Sequence, residues 1–165
     1  MSKQIISRRV FLGTVAYLVT APVLAFSLGD NGKQHPKNVV SAGQFFDDHE
    51  LTILADVADI MIPKSDTPGA TDANVLPVLD GLMLSWAGSD TKARFKALAK
   101  QIQKLGLHKL GDVYTALPHQ QRVELLTNLD KESFSNTDTD LSISYRKFKE
   151  IVFHIYYSSK EANPD

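Results

Sequence analysis

From Asp47 to Ser158 the apolar residues of this chain recur every three or four positions and show no sustained alternation, a rhythm that excludes most folds. A period near 3.6 buries one stripe of a helix, whereas a half-buried strand needs a period of two. Asp47 and Asp48 open the first run, where the helix dipole favours acids. Leu51, Leu54, Val57 or Ala58, and Met61 form its stripe, and Pro63 stops it. Pro63 to Asp72 is dense in turn formers and reads as a loop. A second stripe holds Val75, Leu79, Leu82, Met83 and Trp86, with Pro77 near its first turn. Ser89-Asp90 is expected to cap a third helix with Phe95, Leu98, Ile102 and Leu105 inward. Gly106 and Gly111 are expected to punctuate a short segment containing Val113, Tyr114 and Leu117. Pro118 opens a fourth helix with Val123, Leu126 and Leu129 inward, and Asp130 to Asp140 reads as a loop. A fifth helix is predicted over 142–158, with Tyr145, Phe148, Ile151 or Val152, and Ile155 inward. The expected fold is all-α: a compact bundle of about five helices over residues 45–160, with little or no sheet and a tail at 161–165.

The N-terminus is built differently. Arg8 and Arg9 are followed by Phe11, Leu12 and an apolar run ending near Ala25, which closely resembles a twin-arginine (Tat) export signal over residues 1–25. The two arginines would stay on the cytoplasmic side while the mildly hydrophobic run from Val10 to Leu24 enters the bilayer. That run falls short of the roughly 20 residues that span a membrane comfortably. Val23-Leu24-Ala25 and Ala25-Phe26-Ser27 both fit the small-residue cleavage rule. Residues 26–44, with Gly29, Asp30, Gly32 and Pro36, read as a flexible tether. The expected location is the periplasm, peripheral to the inner membrane through a complex, or anchored if the signal is retained. Tat carries folded proteins, and a small chain without cysteine has little need of that on its own account. The motive points to a partner.

Charge and composition remove several functions. The chain of 165 residues has 18 basic and 19 acidic residues and no Cys. Losing residues 1–25 removes Lys3, Arg8 and Arg9 and no acid, leaving a formal −4. A basic face for nucleic acid is not visible, and binding to anionic lipid through charge is disfavoured. Without cysteine there is no disulfide, thiolate zinc site, Fe–S cluster, c-type haem attachment or thiol catalysis. His49-Glu50 starts like a zinc-protease helix, but Ile53 stands where the second His belongs. Asn136, Asp138 and Asp140 imitate the start of a calcium loop, yet Leu141 and Lys147 occupy its glycine and glutamate positions. His35, His49, His108, His119 and His154 form no close pair, and His154 reads as a hydrogen-bonded core or interface residue. Asp66 and Asp72 suit turn and capping roles. No catalytic, cofactor-binding or metal residue is expected.

Trp86 is either core or an anchor for a partner's pocket. Neighbouring residues on a helix diverge by roughly 100°, so one of Tyr156 and Tyr157 should pack inside while the other is available for contact.

Four pieces together resemble the gluconate 2-dehydrogenase subunit 3 family, the small subunit of membrane-associated flavin-dependent sugar-acid dehydrogenases. They are the Tat-like start, and Ile62-Pro63 followed by Asp66-Thr67-Pro68-Gly69-Ala70 and Val75-Leu76-Pro77. After them come Tyr114 to Pro118 with Gln121-Arg122, and finally Phe148-Lys149 with Ile155-Tyr156-Tyr157-Ser158-Ser159. The resemblance covers about residues 45–160, and His154-Ile155 stand where members often carry a Gly. It implies a non-catalytic accessory subunit, binding no cofactor itself, that supplies the Tat signal for a large subunit and stabilises it. In that family the large subunit holds FAD and a cytochrome c subunit, where present, accepts electrons. The expected partner interface is Asp66, Thr67, Pro68, Gly69, Trp86, Tyr156 and Tyr157. Two other readings differ in class: an autonomous exported helical binding or structural module, and a small metal-dependent enzyme using a histidine such as His108 or His119.

Overall fold

Helix α1 (Asp48–Met61) starts where the paired acids place it, and its cap explains His49-Glu50. The Asp47 carboxylate accepts from the Glu50 backbone N–H at 2.7 Å, while Glu50 accepts from the Asp47 N–H at 3.3 Å. This is a capping box. Glu50 is buried in that role and Ile53 is in the core. The computed structural model describes residues 43–135 and 138–164. The expected signal and the tether through residue 42 lie outside the described residues, as does Asn136 of the calcium-like run.

After α1 come α2 (Val75–Ser85), α3 (Ser89–Leu110), a 3-10 turn (Tyr114–Ala116), α4 (His119–Phe134) and α5 (Asp140–Tyr157). Among the described residues there is no strand, so the all-α expectation of five helices stands. Helix α5 packs on α4, α2, α3 and α1 in turn, which makes it the hub of the bundle. Its Phe148 meets Phe95 of α3 edge-to-face at 5.9 Å between ring centroids. Leu54, Val57, Leu79, Met83, Leu98, Ile102 and Val152 fill the remaining core. Each such side chain contributes ~1.5–3 kcal/mol through burial. No helix of the described residues is long and apolar enough to cross a membrane.

Several boundaries differ from expectation, each for a local reason. Gly106 does not end α3. It lies inside the helix, where an added Cβ would come within 2.7 Å of the Tyr114 nitrogen and 2.9 Å of the Asp112 carbonyl. Its bare face admits the returning chain. Gly111, with φ of 80°, is the actual stop. Helix α3 begins from Gly88 without a side-chain cap, and Ser89 is its first helical residue. Helix α4 consumes the first part of the expected Asp130–Asp140 loop because its buried row continues through Leu129 to Ser133. Thr139 and Ser142 form a second capping box, which starts α5 at Asp140. Val123 and Met61 are only half-buried, and Leu125 is buried in addition to Leu126. His154 is exposed, not a core residue.

The chain enters the bundle through one carboxylate. Asp80, the sole ionisable residue of α2, is buried and accepts backbone N–H groups from Gln44 at 2.8 Å, Phe45 at 3.1 Å and Phe46 at 2.9 Å. Such consecutive N–H donors form an anion nest. A Cβ on Gly43 would sit 2.5 Å from the Phe46 carbonyl and 2.8 Å from the Asp80 carboxylate, so only glycine passes there. Gln44, the last residue of the expected tether, is thereby tied to α2.

Candidate partner interface

The Pro63–Asp72 connection is held from three sides. Its own backbone closes through Ala70 N–H to the Ile62 carbonyl at 3.0 Å and Ser65 N–H to the Thr67 carbonyl at 3.0 Å. From α1, Asp59 accepts the Thr71 N–H at 2.8 Å and its hydroxyl at 2.5 Å. From α5, the Tyr156 hydroxyl donates to the Pro68 carbonyl at 2.7 Å. Asp72 accepts from the Gly69 N–H and pairs with Lys64, both at 3.1 Å. The Gly69 N–H, and then Lys64, hold the Asp72 carboxyl below its ordinary value. Gly69 does not use a left-handed conformation. An added Cβ there would lie 2.8 Å from the Lys64 nitrogen, so close backbone approach is what demands glycine.

A second tie joins α1, the 3-10 turn and α4. Arg122 forks onto Asp56 through Nε at 2.9 Å and Nη2 at 3.0 Å, and its Nη1 donates to the Leu117 carbonyl at 2.7 Å. The Tyr114 hydroxyl donates to the same Asp56 at 2.6 Å. Burial, and then the Asp56 carboxylate, push the Tyr114 phenol above its ordinary value. The hollow beside this tie, about 140 Å³, is lined by Thr52, Asp56, Tyr114, Thr115 and Arg122. Ligand pockets run to roughly 300–1,000 Å³, so the arrangement reads as a structural clasp. Among the described residues no three His, Asp or Glu side chains converge as metal ligands would.

The expected interface residues separate into two kinds. Asp66 and Thr67 are exposed at the loop tip, and Asp66 has no hydrogen bond or ion pair among the described residues. Pro68 is half-buried and Gly69 is buried, so they shape the loop from behind. Trp86 is 80 % exposed at the end of α2, which removes the core alternative for it. Tyr156 is buried with its hydroxyl committed to Pro68, while Tyr157 is 62 % exposed. One ring in and one out matches the expected divergence, and the closing aromatic block is what fastens the Pro68 loop. Asp56, Asp59 and Asp80 were missed as fasteners. Asp80 carries a readable sign, since it falls on the Leu76, Leu79, Met83 stripe where an acid needs buried partners.

Three of the sequence blocks therefore have a geometric meaning: the Pro68 loop, the Tyr114–Arg122 clasp and the Tyr156 fastener. A family model described as Gluconate 2-dehydrogenase subunit 3 matches residues 48–163. No curated protein and no solved structure matches the chain. The matched span runs from the first residue of α1 past the end of α5 and contains all three blocks; the chain belongs to the gluconate 2-dehydrogenase subunit 3 family.

Proposed function

We propose that this chain is a non-catalytic accessory subunit of a periplasmic or membrane-associated, FAD-dependent dehydrogenase of the GMC type acting on a sugar, sugar acid or polyol. It brings a Tat signal to a catalytic large subunit that lacks one, and stabilises that subunit after export. A cytochrome c subunit, where the complex has one, takes the electrons. No residue of this chain is assigned to FAD or haem. The observation that carries the reading is the family match across every helix of the bundle. It is supported by Arg8-Arg9-Val10-Phe11-Leu12 at the N-terminus. A loop fastened from three sides, with Asp66 and Thr67 at its tip, also suits a surface that docks with little loss of entropy.

The test is a pull-down of the C-terminally tagged full chain from its native membranes and periplasm. The expected eluate absorbs as a flavoprotein and contains a stoichiometric large subunit. Arg8→Lys with Arg9→Lys should then strand both chains in the cytoplasm. A colourless eluate holding this chain alone would favour the autonomous helical module. Asp66→Ala with Thr67→Ala separates docking from folding, because both side chains are exposed. Loss of the large subunit with unchanged thermal unfolding makes the loop tip a contact. Retention of both makes it a connector.

A further inference from the structure

The first turns of α3, the end of α4 and the outer flank of α5 frame an open groove of about 830 Å³. Its floor is apolar, formed by Phe134, Ile143 and Phe153. Phe134 is 58 % exposed, although it is a large aromatic at a helix end. The Phe153 ring leans on Tyr157 at 6.1 Å, so the aromatic surface continues onto a residue already expected to meet a partner.

The walls carry Arg94, Arg146, Lys147 and Lys149 against one acid, Glu150. This concentration of cations stands in a chain whose residues 26–165 sum to a formal −4. Three of the cations have acids at hand: Lys147 with Glu150 at 3.0 Å, Arg146 with Asp138 at 2.7 Å and Lys149 with Asp130 at 2.5 Å. Glu150 and Asp138 are largely exposed, and exposed pairs of this kind are exchanged for incoming carboxylates at small cost. Arg94 has no ion pair among the described residues.

An aromatic floor between basic walls selects for a segment with an apolar centre and flanking carboxylates. We propose that this groove docks such an acidic, apolar-centred segment of the catalytic dehydrogenase subunit. Its apolar residue would lie on Phe134 and Phe153, and its carboxylates would reach Arg94 and Lys147. The assignment rests on the accessory-subunit reading. An anionic bilayer fits less well, because the remainder of the exported chain is net negative and would be repelled.

The test places the photo-crosslinker p-benzoylphenylalanine at position 134 of the full-length tagged chain in its native cells. Position 107, where Leu107 is half exposed roughly 20 Å along α3 from Arg94 by helical rise, is the control. Position 134 should cross-link to a flavoprotein peptide bearing at least two acids around an apolar residue, and position 107 should not. Arg94→Glu with Phe134→Ala should lower copurified flavin per chain at least tenfold, with the circular dichroism spectrum unchanged. Raising NaCl from roughly 50 to 500 mM should release flavoprotein from the wild type, since screening weakens exposed charge pairs. Flavin retained by the double variant and indifferent to salt overturns the groove while leaving the accessory role intact. Cross-links to lipid or to a second copy of this chain overturn it as well. A wild-type eluate without flavoprotein defeats the accessory reading, and the groove assignment falls with it.

Discussion

A methyl group on Gly106 would have to displace backbone, because the nearest atoms are the Tyr114 nitrogen and the Asp112 carbonyl rather than the tip of a flexible side chain. Gly106→Ala should therefore destabilise the bundle by ~1–3 kcal/mol despite alanine's better helix propensity. Urea unfolding checks this, and a stabilised variant would contradict the close approach. At Asp72 the expected effect is on pH. Its folded value lies below the ordinary 3.8, so its contribution is present above that value and is lost as pH falls through the lower, folded one. A carboxylate NMR titration should place Asp72 below 3.8, and Lys64→Met should raise it only in part because the Gly69 N–H is the larger cause. Single residues are where sequence reading was weakest. Gly106 looks like punctuation until the strand of chain that crosses it is known. His154 looks buried until α5 is rotated about its own axis by its neighbours.

Helices α1 and α4 are joined by a charged fork rather than by apolar contact alone. Removing Arg122 leaves the half-buried Asp56 carboxylate without its counter-charge and with only the Tyr114 hydroxyl as donor, so Arg122→Met should cost ~2 kcal/mol, below the full cost of a deeply buried pair. A double-mutant cycle of Asp56→Ala and Arg122→Ala should return a coupling energy of ~1–2 kcal/mol. Additive costs would show that the fork contributes no pairwise energy. Helix existence and order were legible because a 3.6-residue stripe is a local signal. The Asp47 start of α1 and the Gly111 stop are local as well. Helix ends that depend on tertiary partners were not legible: α4 outlasts its polar composition because Leu129 and Ser133 are buried, and Lys149 of α5 pairs with Asp130. The fork itself spans 66 positions of chain, which no window over the sequence can see.

For the bundle of described residues, α5 is the element that every other helix leans on. Its central amides, around Phe148 to Val152, should exchange with deuterium only through global unfolding. The turn at Tyr114–Ala116 should exchange through cheaper local openings. A hydrogen-exchange profile with α5 less protected than α3 would contradict the hub. For the residues expected at the interface, the sequence showed the side-chain types but not which of them are buried. Trp86 and Tyr157 are exposed, whereas Tyr156 fastens Pro68 from within. The nest on Asp80 has a mechanical consequence. Three successive N–H groups grip one carboxylate, so a pull on the backbone at Gln44 is shared with α2 across three bonds before it reaches α1.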